Sequence, residues 1–442
     1  MTRSDAVALH RPGPPARDAI AWGEADLIQR LCRALDIARR TVETLAADGY
    51  TDRDHPEHSI RGEKVVVEAA MLLVPSQAVC PVSAEVSERL NALAESLLPY
   101  ARGERVRARV CLEPALALDH AAAHLCLSAI GWPDGDLDRL LQESLRAEAA
   151  GSRERPPHRE LEQEWLRRLA GSTVADLPED PGLARRTALA RDIDLLPPNT
   201  DDVYAFTHAL MYLSDLGHRR PRLPRAATEI KARAAALLAD SLDIGDYDLA
   251  GEILLTWPFL GGRWNAGAAL GFAVIAAVED GARVLPGPGI SIERLQQLEG
   301  PERRRYALAS AYHTAFVMGL LSAAALRPGA APPVLDSLRA DPAAAAAVEE
   351  LLAALGPDDP VPFWRRFLLA QPETTLAAAA PLVLDICLCR AARQRDLALL
   401  RDGLLAGQRH GLLDAPAARQ AAQLLRRCSL LGRQQLAVPA SS

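Results

Sequence analysis

Apolar residues recur along most of the chain with helical spacing, and six segments are apolar on almost every side. Helices of that kind are buried. Each of the six nevertheless carries one or two ionisable residues near its middle. The segments are 64–77 with Glu68, 118–133 with His120 and His124, 204–217 with His208, 249–262 with Glu252, 311–324 with His313, and 381–394 with Asp385.

Amphipathic, charge-rich segments such as 83–102, 135–150, 225–242 and 418–431 alternate with the apolar ones, as an outer layer would. This alternation predicts an all-α protein, either an α/α toroid-like helical barrel or an irregular α-solenoid. The marked residues are spaced too irregularly for a repeat of fixed period. In a toroid they would face a lumen, where water or substrate satisfies them; a buried unpaired charge would cost several kcal/mol.

The polar and Pro-rich stretches set the expected domain boundaries. Residues 1–20 are predicted to be a disordered arm and 433–442 a tail. Between them, 21–432 should form a single all-α domain, with a polar insertion near 151–200 that contains one amphipathic helix around Trp165.

Composition narrows the function classes. The 442 residues carry a net charge of −7 and no Lys/Arg-rich arm, so no nucleic-acid partner is expected. The seven cysteines are scattered without a CxxC pair, as in a reducing compartment. We find no signal sequence and no apolar run of about 18 residues, so we expect a cytoplasmic protein with no membrane partner.

The segment 204–217 contains the first candidate site. Tyr204, His208, Tyr212 and Asp215 follow one another at spacings of four, four and three, which places them on one helix face. His208 could serve as a general base, with a tyrosine as proton donor and Asp215 orienting the imidazole. Alternatively, these are buried polar groups satisfied by their neighbours.

A second histidine, His313, stands in "AYHTAFVMG", which echoes the Thr-His-Ala order of 207–209. Two similar helices, each contributing a histidine, could face one cavity. The alternative is chance similarity in Ala-rich sequence.

Positive side chains provide the substrate-binding candidates. Arg219, Arg220 and Arg222 lie in a Pro-restrained turn that would suit a carboxylate, a phosphate or an acidic peptide. An ordinary solvent-facing turn would look the same. Lys64 is a further candidate for substrate contact, because it is one of only two lysines among 50 basic residues.

Metal-binding motifs are weak. His120 and His124 have the i, i+4 spacing of a chelating pair, but no HExxH motif or nearby third ligand accompanies them. A structural histidine pair explains them as well. The sequence therefore predicts no metal and no cofactor.

The Arg/Ala bias together with "YAFTHALMYLSDLG" is similar to uncharacterised helical proteins of actinobacterial natural-product pathways. The expected toroid also resembles lanthionine synthetase C-like cyclases, which add a cysteine thiol to a dehydroamino acid. Their zinc site uses Trp-Cys and Cys-His-Gly contexts, neither of which occurs here. The resemblance thus implies a metal-free thioether-forming peptide cyclase of lyase type.

Two functions are consistent with these patterns. The first is an enzyme of ribosomal-peptide metabolism that works in a helical lumen by histidine acid–base chemistry. The second is a non-catalytic helical adaptor that binds a peptide or a partner biosynthetic protein. Regular repeats would favour the adaptor, and polar groups set into apolar helices favour the enzyme.

Overall fold

The computed structural model describes residues 23–52, 55–171, 182–338, 343–358 and 360–436. Helix accounts for 72% of the residues that the structure describes. Within the described residues the only β-type pairing is an isolated antiparallel bridge between Tyr50 and Ile60. The all-α prediction is therefore confirmed. The expected arm, 1–20, and the last part of the expected tail, 437–442, lie outside the described residues.

The described residues of the first part of the chain form nine α-helices. They are α1 (Glu24–Leu45), α2 (Gly62–Gln77), α3 (Ala84–Arg102), α4 (Glu104–Leu112), α5 (Ala117–Ala129), α6 (Gly135–Leu145), α7 (Pro157–Leu169), α8 (Leu183–Arg186) and α9 (Thr200–Leu213). Short 3-10 turns occur at Pro56–His58, Pro114–Leu116 and Glu148–Gly151.

The second part continues from Ala227 to Leu436. Its helices are α10 (Ala227–Ile244), α11 (Tyr247–Leu254), α12 (Thr256–Leu260), α13 (Ala266–Ala282), α14 (Ile292–Gln297), α15 (Gly300–Ala325), α16 (Ala343–Leu355), α17 (Phe363–Leu369), α18 (Glu373–Ala378), α19 (Ala380–Gln394), α20 (Leu397–Arg409) and α21 (Pro416–Leu436). A 3-10 turn covers Leu335–Ser337.

Six helices contact one another in a closed circuit: α2, α5, α7, α9, α11 and α15, with α15 returning to α2. Five of the six segments expected to be buried supply α2, α5, α9, α11 and α15. The remaining segment forms α19, which packs outside the circuit against α10, α16, α20 and α21. The circuit brings the middles of several apolar helices toward one another.

Helix α7 lies in the stretch expected to be a polar insertion, yet it packs between α5 and α9. Among its many charged residues, Leu161, Trp165 and Leu166 form a buried apolar face. Part of that stretch, 172–181, lies outside the described residues.

The turn between α10 and α11 sets the start of the helix that contributes most to the site. Gly245 has φ 74°, a left-handed conformation that glycine adopts at low cost. The Asp246 side chain then accepts a hydrogen bond from the Leu249 amide at 3.1 Å and caps α11. Farther along, a Cβ on Gly251 would lie 2.6 Å from Val317 Cγ1, so glycine allows α11 and α15 to approach closely.

Helix α15, Gly300–Ala325, is long and apolar enough by composition to cross a bilayer, and 78% of its apolar window is buried inside the protein. From the sequence, we expected no apolar run long enough to span a membrane. The helix packs against α1, α2 and α11, and its middle holds His313.

Candidate functional site

Two buried carboxylates on α11 lie at the centre of the site. Asp248 and Glu252 are one helical turn apart and leave only 3% and 2% of their surface uncovered. The Tyr204 hydroxyl donates to Asp248 Oδ2 at 2.8 Å, and the Thr207 hydroxyl donates to Glu252 Oε2 at 2.6 Å. Helix α9 therefore satisfies one oxygen of each carboxylate and leaves the other turned toward α15.

His313 of α15 faces those remaining oxygens. Its Nε2 lies 3.5 Å from Asp248 Oδ1 and 3.5 Å from Glu252 Oε1, while its Nδ1 lies 3.1 Å from Glu68 Oε2. The two 3.5 Å separations are longer than a good N–H···O hydrogen bond. One imidazole is thus in contact with three carboxylates from two other helices.

His208 of α9 approaches the same centre from another side. Its Nε2 is 3.5 Å from Glu252 Oε1, and 22% of its side chain remains uncovered. Its ring lies 5.8 Å from that of Tyr204 and 6.1 Å from that of His158 on α7. We call Glu68, His208, Asp248, Glu252 and His313 the His–carboxylate cluster.

The cluster has an exposed edge on α2. Lys64 is 58% exposed, and its Nζ lies 3.6 Å from Glu68 Oε1. His313 leaves 29% of its side chain uncovered. The charges therefore run from an exposed ammonium inward to the fully buried Glu252.

Burial and mutual charge shift the protonation of the cluster strongly. Burial opposes the charge on His313, but the Glu68 and Asp248 carboxylates outweigh it and raise the His313 pKa well above its ordinary value. Burial likewise favours protonation of Glu252, yet His208 and His313 outweigh it and lower the Glu252 pKa. Burial does raise the pKa of Asp248. The ionisable groups of the cluster therefore differ strongly in their affinity for protons.

Of the sequence candidates, the structure brings Tyr204, His208 and His313 together and places Lys64 at the edge. Tyr212 lies beside them, with its ring 6.2 Å from that of His208, but its hydroxyl donates to Glu162 Oε1 of α7 at 2.9 Å. Tyr212 therefore lines the site without pointing into the cluster.

Asp215 lies apart from the histidines. Helix α9 ends at Leu213, and Asp215 follows in a left-handed conformation with φ 52°. Its Oδ1 accepts a hydrogen bond from Trp165 Nε1 at 2.7 Å. The expected role of orienting an imidazole does not match this geometry, because the helical spacing does not extend to this position.

The turn arginines follow the end of α9 at Leu213. Arg219 Nε donates to the Leu213 carbonyl at 3.2 Å, while Arg220 and Arg222 are exposed. The turn is held by Arg327, whose Nη2 donates to the Leu216 carbonyl at 2.9 Å.

His120 and His124 do not form a chelating pair. His124 Nε2 lies 2.8 Å from Asp138 Oδ1, whereas His120 Nε2 lies 3.0 Å from Glu113 Oε2. Burial lowers the pKa of His124 despite the Asp138 carboxylate. Each histidine is thus paired with its own carboxylate, as expected for structural residues.

Sequence reasoning marked Glu68 and Glu252 as buried ionisable groups but did not place them in a site, and it missed Asp248. The signal was present in "YDLAGEIL", where two carboxylates stand at i, i+4 on an apolar helix. The position of Asp248 in the first helical turn, next to the cap Asp246, made it look like a helix-dipole residue.

The cluster offers donors suited to a metal ion. One ligand atom each from Asp248, Glu252 and His313 lies within 4.8 Å of the others. The other two members, Glu68 and His208, flank this set. Imidazole and carboxylate together are ligands of first-row divalent cations.

A family model described as a domain of unknown function, DUF6895, matches residues 31–323. The matched region runs from α1 into α15 and contains all five cluster residues. No curated protein and no solved structure is significantly similar to the chain.

Proposed function

The chain belongs to the DUF6895 family of domains of unknown function, and we propose that it is an enzyme with a divalent-cation centre formed by Asp248, Glu252 and His313. In this proposal the substrate is a peptide, and the setting is cytoplasmic peptide biosynthesis, as expected from the sequence.

The spacing of the donor atoms carries the proposal. His313 Nε2 is 3.5 Å from one oxygen each of Asp248 and Glu252. A tetrahedral ion with bonds of about 2.1 Å separates its ligands by about 3.4 Å. The observed separations therefore fit ligands around a shared ion better than they fit direct hydrogen bonds.

An unsatisfied buried atom supports the same reading. Asp248 Oδ1 is buried and lacks a hydrogen-bond partner among the described residues. Leaving such a group unpaired costs about 1–3 kcal/mol, and more for a charged group. A cation that bonds Asp248 Oδ1 would offset that cost.

The chemistry follows from what a cation does to a bound nucleophile. A Zn²⁺ ion held by these residues would lower the pKa of a bound water to about 7 and would deprotonate a bound thiol. His208 lies 3.5 Å from Glu252 and is partly uncovered, so it can receive the released proton. In this form the cyclase-type reaction expected from the sequence uses a cation as well as a histidine.

Two alternatives remain as outcomes of the test. Metal-free acid–base catalysis would use His208 and His313 alone. A peptide-binding adaptor needs no cluster of buried carboxylates and histidines, whose assembly costs several kcal/mol of desolvation per ion.

The test is calorimetric titration of chelator-treated protein with Zn²⁺ and, separately, Mn²⁺. We expect one equivalent to bind with release of a proton, because the ion must displace the proton held by His313. Affinity should accordingly rise with pH. Glu252→Gln should weaken binding by at least about 100-fold, since loss of a ligand exceeds the effect of losing an outer-shell partner.

His120→Gln is the matched control, because it removes an imidazole from a different His–carboxylate pair. It should leave both stoichiometry and affinity unchanged. Absence of stoichiometric binding to the wild-type protein, or equal binding by Glu252→Gln, would reject the cation centre and favour a metal-free site or an adaptor.

A further inference from the structure

A groove of about 960 Å³ runs between α1, α3 and the N-terminal half of α15. Seven arginines and three carboxylates line it, which gives a formal charge of +4 in a chain whose net charge is −7. Gathering like charges around one concavity is unfavourable unless counter-charges neutralise them. The groove is therefore the place to look for an anionic ligand.

Ion pairs within the protein neutralise only part of this charge. Three of the arginines are paired: Arg33 with Glu279, Arg39 with Glu43, and Arg89 with Asp36. Four others form no ion pair within the described part of the chain, and these are Arg40, Arg283, Arg303 and Arg304. Guanidinium groups that are not committed to a protein carboxylate are available for bidentate bonds to carboxylate or phosphate oxygens.

Most of the remaining lining residues are apolar. Ile37 of α1, Leu295 of α14 and Leu308 of α15 are among the side chains that form it. The volume falls in the range of about 300–1,000 Å³ that is typical of small-molecule sites. Such a surface matches a ligand with an apolar body as well as a charged group.

The groove lies on the opposite side of α15 from the His–carboxylate cluster. Arg304, Ala311 and their neighbours line the groove, while His313 is two residues beyond Ala311. Two residues correspond to a rotation of about 200° around a helix. The groove is thus a second site and not an entrance to the first.

We propose that this groove binds a small amphipathic anion, with an apolar body on Ile37, Leu295 and Leu308 and a phosphate or carboxylate group on Arg303 and Arg304. Arg40 and Arg283 lie within the same rim and add to its positive potential. This inference does not depend on the cation centre, since the two sites share no residue.

The experiment is a titration of the full chain, in the presence of a chelator, with decyl phosphate, decanoate, decanol and inorganic phosphate, all below the micelle concentration. We expect saturable binding of decyl phosphate or decanoate at one site. Decanol and inorganic phosphate should bind at least about tenfold more weakly, since each lacks one of the two contributions. The stronger of the two anions identifies the head group.

The double variant Arg303→Gln, Arg304→Gln should weaken binding of the preferred anion by at least about tenfold, because charge-assisted hydrogen bonds are lost. Arg220→Gln with Arg222→Gln is the matched control, since both arginines are exposed in the turn after α9; it should change nothing. Equal binding of decanol and the anions, no saturable binding, or unchanged affinity in the double variant would overturn the proposal.

Discussion

Between α10 and α19 lies a second group of buried charges, and its bonding differs from that of the His–carboxylate cluster. Arg390 donates through Nε to Asp243 Oδ2 at 3.0 Å and through Nη2 to Asp243 Oδ1. Trp364 Nε1 donates to Asp243 Oδ1 at 3.1 Å, and Arg393 donates to Asp243 Oδ2. Asp358 accepts from the remaining arm of Arg390.

The two groups differ in the residues that carry the positive charge. Guanidinium keeps its proton at all ordinary pH values, and here it saturates both Asp243 oxygens. Histidine can release its proton near neutrality, and in the cluster it leaves 3.5 Å separations and an unpartnered carboxylate oxygen. A buried Arg–carboxylate network therefore fixes the relative position of helices, whereas a buried His–carboxylate cluster retains capacity for protons and ions.

Removing Arg390 should have the largest effect. Arg390→Met leaves Asp243 buried with only part of its compensation, and breaking a buried pair from one side typically costs about 3–5 kcal/mol. We expect a decrease of that size in the free energy of unfolding, measured by urea denaturation. Cation binding at the cluster should persist under conditions in which the variant is folded.

Arg390→Met combined with Asp243→Asn provides the control for this comparison. It removes the uncompensated charge and should recover part of the lost stability. A single variant as stable as wild type would mean that the network does not anchor α19 to α10.

Asp385 of α19 is a buried ionisable residue that belongs to neither group. Its Oδ1 is buried and has no hydrogen-bond partner among the described residues, and burial raises the pKa of Asp385 to about 7. Asp385 therefore shows what a carboxylate does without a partner: it keeps its proton.

The next largest effect should be a pH-dependent increase in the free energy of unfolding caused by Asp385→Asn. Between the unfolded pKa of about 4 and the folded value, the folded state binds the proton more tightly, so wild-type stability falls as pH rises. The amide does not titrate. Its stability advantage should grow from about 1–2 kcal/mol at pH 5 to about 4 kcal/mol at pH 8, at about 1.4 kcal/mol per pKa unit.

The measurement is a pair of urea unfolding series at pH 5 and pH 8. A difference between Asp385→Asn and wild type that is the same at both pH values would contradict a proton held by Asp385. Asp396→Asn provides the carboxylate control, because Asp396 lies at an exposed helix cap and its side chain accepts amide hydrogen bonds.

The sequence predicted much of this architecture because burial leaves a local pattern. Apolar helices marked by Glu68, His208, Glu252 and His313 were recognisable, and these four side chains converge in the structure. The packing of α7 between α5 and α9 was not predicted, because a single buried face among many charged residues resembles a polar segment.

The register between helices was not predictable from local spacing. Asp248 joins the cluster because Gly251 lets α11 approach α15 at Val317, and such a contact between distant segments leaves no periodic signal. Asp215 departed from prediction because the helix ends two residues before it. The sequence predicted a substrate-binding role for the basic turn, because charge density alone does not indicate which residues the turn will contact.

The smallest expected effect concerns Lys64, and it distinguishes the edge of the cluster from the basic turn. Lys64 is mostly exposed, so its pair with Glu68 should contribute at most about 1 kcal/mol to stability. Its charge nevertheless lies next to Glu68, which flanks the proposed cation ligands, and it would repel the cation. Lys64→Gln should therefore tighten Zn²⁺ binding about two- to fivefold at low salt, and the gain should shrink as ionic strength rises.

Arg220→Gln removes the same charge from an exposed turn after α9, whereas Lys64 and Glu68 lie on α2. It should leave the affinity unchanged. Calorimetric titration of both variants at two salt concentrations tests this, and equal behaviour of Lys64→Gln and Arg220→Gln would show that the cation does not bind beside Glu68.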